Sequence, residues 1–126
     1  MAQVPILISI SGGVASASPD PAFVSPSDTV LWTHTTGHHW PPGVNANQVI
    51  QYLSGIQLII PSSLQFVQQP DGSRGVQGTI IATASAGQQE DYSASIPSLE
   101  DDTVILTTHK VDDYGNSFDP KIKVKT

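Results

Sequence analysis

The chain has 126 residues, of which 38% are hydrophobic and only 13% are charged. Its 11 acidic and 5 basic residues give a formal net charge of −6, which opposes binding to nucleic-acid phosphates or anionic membranes unless a local basic patch exists. The sequence contains no cysteine, so disulfides and thiolate-ligated metal sites are excluded.

Short alternating segments bounded by turn residues dominate the chain and predict an all-β protein. The predicted strands cover residues 4–9, 14–18, 29–35, 56–60, 64–68, 76–85, 91–96, 103–111 and 121–125. Tight turns are expected at residues 70–72 and 112–116, where Pro, Asp, Asn and Gly tolerate the required backbone angles. This strand count predicts a two-sheet Greek-key sandwich, with residues 1–126 forming a single domain.

One segment departs from the strand pattern. Asn45 is expected to cap a short helix over residues 46–54, and Gly55 is expected to end it. The apolar face of this helix would be formed by Val49, Tyr52, Leu53 and Ile56.

The two ends of the chain bear on its location and partners. The amino terminus has no basic region, and its apolar run is too short and interrupted for a signal peptide. At the other end Lys121, Lys123 and Lys125 alternate with Ile122 and Val124, so the lysines are expected to form the solvated face of one strand. We therefore expect a cytoplasmic monomer or small homo-oligomer that binds neither nucleic acid nor a membrane.

Two stretches of the sequence carry a family resemblance. Residues 20–33, DPAFVSPSDTVLWT, resemble the cupredoxin pattern, in which a polar turn leads into a Val-x-Trp strand and a histidine follows, here His38 or His39. Residues 118–124, FDPKIKV, resemble the ending of small bacterial domains that keep this sandwich without a copper loop. The resemblance implies a cupredoxin-like fold. A blue-copper centre needs a cysteine thiolate, so the resemblance does not extend to that activity.

Histidines form the most conspicuous cluster of candidate ligands. His34, His38 and His39 lie close together in the sequence, and a neighbouring strand could add His109. Neutral imidazoles so placed suit copper, zinc or nickel. In the alternative interpretation, His34 and His109 are packed or hydrogen-bonded and the other two lie in an exposed loop. The first interpretation implies copper or zinc as a cofactor, and the second implies none.

Aromatic residues suggest a binding role. Trp32 lies within a predicted strand and is expected in the core. Trp40 precedes a Pro-Pro-Gly loop and Tyr52 follows it, so both are candidate contact residues for a ligand or partner, together with His38 and His39.

The remaining patterns do not indicate an enzyme. Glu90 and Asp91, like the other acidic groups, lie near predicted turns, fail the spacing of a calcium loop and are interpreted as solvated carboxylates. The chain has no Gly-x-Ser-x-Gly elbow and no phosphate-binding loop. We therefore expect a non-catalytic binding or interaction module for an unknown protein or small ligand. The alternatives are a histidine-based copper or zinc protein and a structural self-assembling subunit.

Overall fold

The computed structural model describes residues 2–11, 13–34, 40, 45–70, 74–97 and 105–126. Strands make up 56% of the structure and helices 7%, which confirms the all-β prediction. The strands are β1 Gln3–Ser11, β2 Val14–Ser18, β3 Ala22–Val24, β4 Thr29–His34, β5 Ile50–Gly55, β6 Gln65–Gln68, β7 Arg74–Thr79, β8 Gln89–Pro97, β9 Ile105–Thr107 and β10 Lys121–Val124.

The strands form two five-stranded sheets. The first sheet has the order β2-β1-β4-β7-β6, and the second has the order β3-β10-β8-β5, with β9 pairing with β8. Both sheets are mixed, because β1 runs parallel to β4 and β3 runs parallel to β10, whereas the other pairs are antiparallel. The two-sheet sandwich predicted from the sequence is therefore confirmed.

The core lies between the sheets and follows from the alternation of side chains along each strand. In β10, Ile122 and Val124 are buried while Lys121 and Lys123 are half-exposed, as the sequence predicts. Trp32 of β4 is fully buried and meets Tyr92 of β8 edge to face, with ring centroids 5.5 Å apart. This aromatic contact joins the two sheets at the centre of the sandwich.

Several strand predictions were wrong in their limits. Residues 56–60 form only an isolated bridge, between Ile59 and Ile80, because this segment crosses from the second sheet to the first. The strand predicted over residues 76–85 begins at Arg74 and ends at Thr79. The one predicted over residues 103–111 is limited to Ile105–Thr107, with residues 103–104 outside the described part. The short strand β3 was not predicted.

The predicted helix is correct only in its first turn. Helix α1 covers Ala46–Val49, and the Gln48 side chain accepts a hydrogen bond from the backbone N–H of Asn45 at 2.9 Å, which supports the predicted cap. The remainder was wrong, because Ile50–Gly55 forms the edge strand β5 and pairs with β8. Within the described residues, no helix has the length and apolar character needed to cross a membrane.

The two predicted turns differ in how far the structure describes them. Strands β6 and β7 are antiparallel, with Gln68 opposite Arg74, and the turn predicted between them at residues 70–72 lies outside the described part except for Pro70. At residues 112–116, the N–H of Asp112 donates to the carbonyl of Asn116 at 2.9 Å. The Asp112 carboxylate in turn accepts the N–H of Asn116 at 2.8 Å, which fixes this turn from within.

Candidate functional site

A cleft of about 190 Å³ opens at one edge of the sandwich. It lies between the edge strand β5 and the segment that crosses to the first sheet and continues through the 3₁₀ turn Pro61–Ser63. Its lining combines amide, aromatic, aliphatic and acidic side chains, which are Asn47, Ile50, Gln51, Tyr52, Gln57, Ile59, Pro61, Leu64 and Glu90. Recesses of this mixed character are the usual places where proteins bind small molecules.

Tyr52 forms one wall of the cleft. Its side chain is 43% exposed, and its hydroxyl donates a hydrogen bond to the carbonyl of Gly55. The residue lies opposite Tyr92 in the pairing of β5 with β8. Of the two predicted contact residues that the structure describes, Tyr52 and Trp40, it is Tyr52 that lies at an open recess.

Glu90 lies in β8 and contributes its side chain to the interior beside the cleft. The residue is 1% exposed, and its Oε1 atom accepts hydrogen bonds from the backbone N–H groups of Leu58 and Ile59, both at 2.8 Å. These two amides belong to the crossing segment, so the carboxyl group fixes that segment to the second sheet. Gly55 lies opposite Glu90, and a Cβ atom there would come within 2.4 Å of the Gln89 carbonyl oxygen.

The environment of Glu90 changes its acidity. Burial, together with a smaller contribution from the nearby charge of Asp91, raises the pKa of Glu90 to about 7, although the two N–H donors act in the opposite direction. The interpretation of Glu90 as a solvated turn carboxylate was therefore wrong. A signal was present in the sequence, because Glu90 shares a two-residue period with Tyr92, Ala94 and Ile96, which are buried.

Trp40 does not form part of the exposed surface. Its side chain is 1% exposed, and its Nε1 atom donates to the carbonyl of Ser95 at 2.6 Å. The ring of His34 meets the Trp40 ring edge to face, with centroids 4.9 Å apart, and Arg74 donates to the Trp40 carbonyl at 2.9 Å. The prediction that Trp40 contacts a ligand is therefore corrected, since its ring packs in the core and its polar atom is already bonded.

Comparison with known proteins identifies no relative of this chain. The chain matches no protein-family model, and comparison with curated proteins and with solved structures gives no match either. The cupredoxin resemblance is thus carried by residues 20–33 and 118–124 alone. In the structure these stretches supply β3, the turn before β4, most of β4, and β10. Asp28 accepts the backbone N–H groups of Ala2 and Ser25 at 2.9 and 2.8 Å, which ties that turn to the start of β1.

The four histidines are not brought together in the described part of the chain. His38 and His39 lie outside it, and His34 packs against Trp40. The Nδ1 atom of His109 lies 2.5 Å from Oδ1 of Asp119, a carboxylate that is 5% exposed. Among the described residues, no group of three or more His, Asp or Glu side chains could hold a metal ion. Metal binding by His34, His38, His39 and His109 remains a prediction.

Proposed function

We propose that the chain is a non-catalytic binding module with a cupredoxin-like fold, and that the cleft beside Tyr52 holds its ligand. The observation that carries this proposal is the position of a partly exposed aromatic ring next to a buried carboxyl group in one recess. A titratable group with a strongly shifted pKa in a cleft is a common property of functional sites.

The lining of the cleft defines what it can hold. The ring of Tyr52 offers a flat apolar surface, Asn47, Gln51 and Gln57 offer amide donors and acceptors, and Leu64 offers aliphatic contact. Its volume of about 190 Å³ is below the roughly 300–1,000 Å³ of pockets for drug-sized ligands. The cleft therefore suits a small molecule or a single residue of a longer chain.

The edge of the second sheet favours ligand binding over edge-to-edge assembly. Strand β5 is exposed over most of its length and has a bulge between Tyr52 and Ser54. A bulge interrupts the regular ladder that a second strand would need, and natural edge strands use it to avoid pairing. The bulge supports a monomer or small oligomer and leaves the adjacent cleft open.

Substitution of Tyr52 tests the proposed site. We expect small polar compounds, screened by ¹H–¹⁵N NMR as a panel of monosaccharides, amino acids and alkyl amines, to shift the amide signals of residues 50–59. The Tyr52→Ala variant should bind the best compound about two- to tenfold more weakly, because an aromatic contact contributes roughly 0.5–1.5 kcal/mol.

Tyr114→Ala is the matched control, because Tyr114 is 90% exposed and lies in the 112–116 turn, outside the cleft lining. Its affinity should equal that of the unaltered protein. Equal losses in the two variants, or signal changes confined to other parts of the chain, would contradict the proposal.

The contact between His109 and Asp119 favours a second candidate, a histidine-based copper or zinc protein. With Nδ1 of His109 held by a buried carboxylate, Nε2 is the nitrogen left for a metal, and carboxylates commonly orient metal-binding histidines in this way.

Calorimetry with copper(II) and zinc on tag-free protein tests the metal candidate. We expect stoichiometric binding that is lost in His109→Ala and weakened roughly 10–100-fold in Asp119→Asn, because the carboxylate then no longer orients the imidazole. Lys110→Ala, which alters an adjacent exposed residue, serves as the control. Binding no tighter than micromolar, or binding unchanged in His109→Ala, would exclude this candidate.

A further inference from the structure

The buried carboxyl group of Glu90 has no cationic partner in the described part of the chain. Its polar contacts are the two N–H groups of Leu58 and Ile59. The ion pairs among the described residues, His109 with Asp119 and Lys121 with Asp91, do not include it. A buried carboxylate is costly unless it is paired, so an incoming positive charge would be stabilised strongly here.

The charged groups on neighbouring strands do not supply that positive charge. On β10, Lys121 and Lys123 alternate with the buried Ile122, so they lie on the outer face, opposite to Glu90. The Nζ atom of Lys121 lies 3.6 Å from Oδ1 of Asp91 and donates to the Asp119 carbonyl at 3.1 Å.

The remaining titratable groups near Glu90 are acidic or neutral. On β8 itself they are Asp91 and the buried phenol of Tyr92, whose pKa is raised by burial and also by the charges of Asp20 and Glu90. On β5 the neighbouring group is the phenol of Tyr52, and the crossing segment at residues 56–60 carries no ionisable side chain. The formal net charge of −6 also attracts cations to the protein.

We propose that the ligand of this cleft is a small organic cation with a primary ammonium group, which pairs with the Glu90 carboxylate while its carbon chain packs against Tyr52 and Leu64. This inference rests on the proposed function, because it names the ligand class of the same cleft. An ammonium group beside a tyrosine ring also gains from the attraction between a cation and an aromatic face.

Binding of the cation is coupled to the loss of a proton from Glu90. Burial holds the pKa of the unliganded carboxyl group at about 7, so the group is mostly protonated at pH 6 and mostly ionised at pH 8. An alkyl ammonium group keeps its charge over this range, because its pKa resembles the value of about 10.4 for lysine. The affinity should therefore rise with pH.

Titration with n-butylamine at pH 6 and pH 8, monitored through the amide signals of Leu58 and Ile59, tests this inference. These two amides donate to Glu90, so they report directly on its charge. We expect binding about tenfold tighter at pH 8, in proportion to the ionised fraction of a group with a pKa near 7. The uncharged analogue n-butanol should bind far more weakly at both pH values.

Two variants separate the role of Glu90 from that of the general negative charge. Glu90→Gln should lose most of the affinity for n-butylamine and all of its pH dependence, because glutamine keeps an oxygen acceptor but carries no charge. Asp113→Asn removes the same charge from an exposed turn and should bind as the unaltered protein does.

The possible outcomes distinguish this inference from the proposed function. Equal affinity for n-butylamine and n-butanol, equal affinity at pH 6 and 8 in the unaltered protein, or full binding by Glu90→Gln would each overturn the inference. If neutral monosaccharides shift the signals of the cleft and n-butylamine does not, the binding module remains supported and the cationic ligand is excluded. If no compound shifts them, both proposals fail.

Discussion

Replacement of Glu90 by glutamine is expected to abolish a change of about 3 kcal/mol that the free energy of unfolding otherwise shows with pH. The carboxyl group is buried between the sheets and has a pKa of about 7, against an ordinary value of 4.5. A group of this kind binds its proton more tightly in the folded protein than in the unfolded chain.

The sign of the effect follows from that difference. Because the folded-state pKa is raised, the stabilising contribution of protonated Glu90 is fully present below about pH 4.5 and is lost as the pH rises through 7. The unaltered protein should therefore lose stability between pH 5 and pH 8. Glu90→Gln cannot ionise, and its Oε1 atom can still accept from Leu58 and Ile59, so its stability should change much less across this range.

Urea unfolding at pH 5 and pH 8 measures this difference directly. Asp28 does not interfere with this measurement. Burial alone would raise its pKa, but the N–H groups of Ala2 and Ser25, together with the charge of Lys125, outweigh burial and lower the pKa. The contribution of Asp28 to stability is therefore lost only below about pH 4. Asp113→Asn, an exposed control, should follow the profile of the unaltered protein. Parallel profiles for the unaltered protein and Glu90→Gln would show that Glu90 does not titrate in this range.

Regular alternation allowed the sequence to predict much of the sandwich. In Lys121–Val124 apolar and polar residues follow the two-residue period of a strand with one buried face, and in Thr29–His34 the buried Val30 and Trp32 have the same period; both segments form strands. Turns rich in Pro, Gly, Asp and Asn were also recognisable, because these residues are needed for specific backbone angles. Such signals are local, and local signals suffice for regular strands and tight turns.

Strand β5 could not be recognised because its alternation is interrupted. The bulge between Tyr52 and Ser54 places Tyr52 opposite Tyr92 and Gly55 opposite Glu90, so positions three residues apart face the same side. A spacing of three or four residues is also the spacing of a helix face, and the helix predicted over residues 46–54 was based on that spacing among Val49, Tyr52, Leu53 and Ile56. The sequence pattern therefore did not predict β5, the edge strand that bounds the cleft.

The candidate site was predicted only in part because its contacts are distant in sequence. Tyr52, which the sequence suggested as a contact residue, is 43% exposed and lines the cleft, whereas the role of Glu90 depends on the amides of Leu58 and Ile59, more than thirty positions away. The inward position of Trp40 likewise depends on Ser95, on a strand of the other half of the chain. Composition and periodicity carry no information about such pairs.

Replacement of Trp40 by alanine is expected to lower the free energy of unfolding by about 3–5 kcal/mol, the usual cost of truncating a large buried aromatic side chain. The ring is 1% exposed and packs edge to face against His34. Urea unfolding at one pH measures the loss. Any loss of ligand binding in Trp40→Ala would then reflect partial unfolding rather than a missing contact.

Trp40→Phe separates packing from hydrogen bonding in the same position. Phenylalanine keeps an aromatic ring beside His34 but cannot donate to the Ser95 carbonyl, so this variant should lose about 1–3 kcal/mol, the cost of a partly buried acceptor without its donor. Tyr114→Ala, at a position that is 90% exposed, should change stability by less than about 0.5 kcal/mol. If Trp40→Ala costs as little as Tyr114→Ala, then Trp40 lies at the surface in solution, and the loop before α1 would again be a candidate for ligand contact.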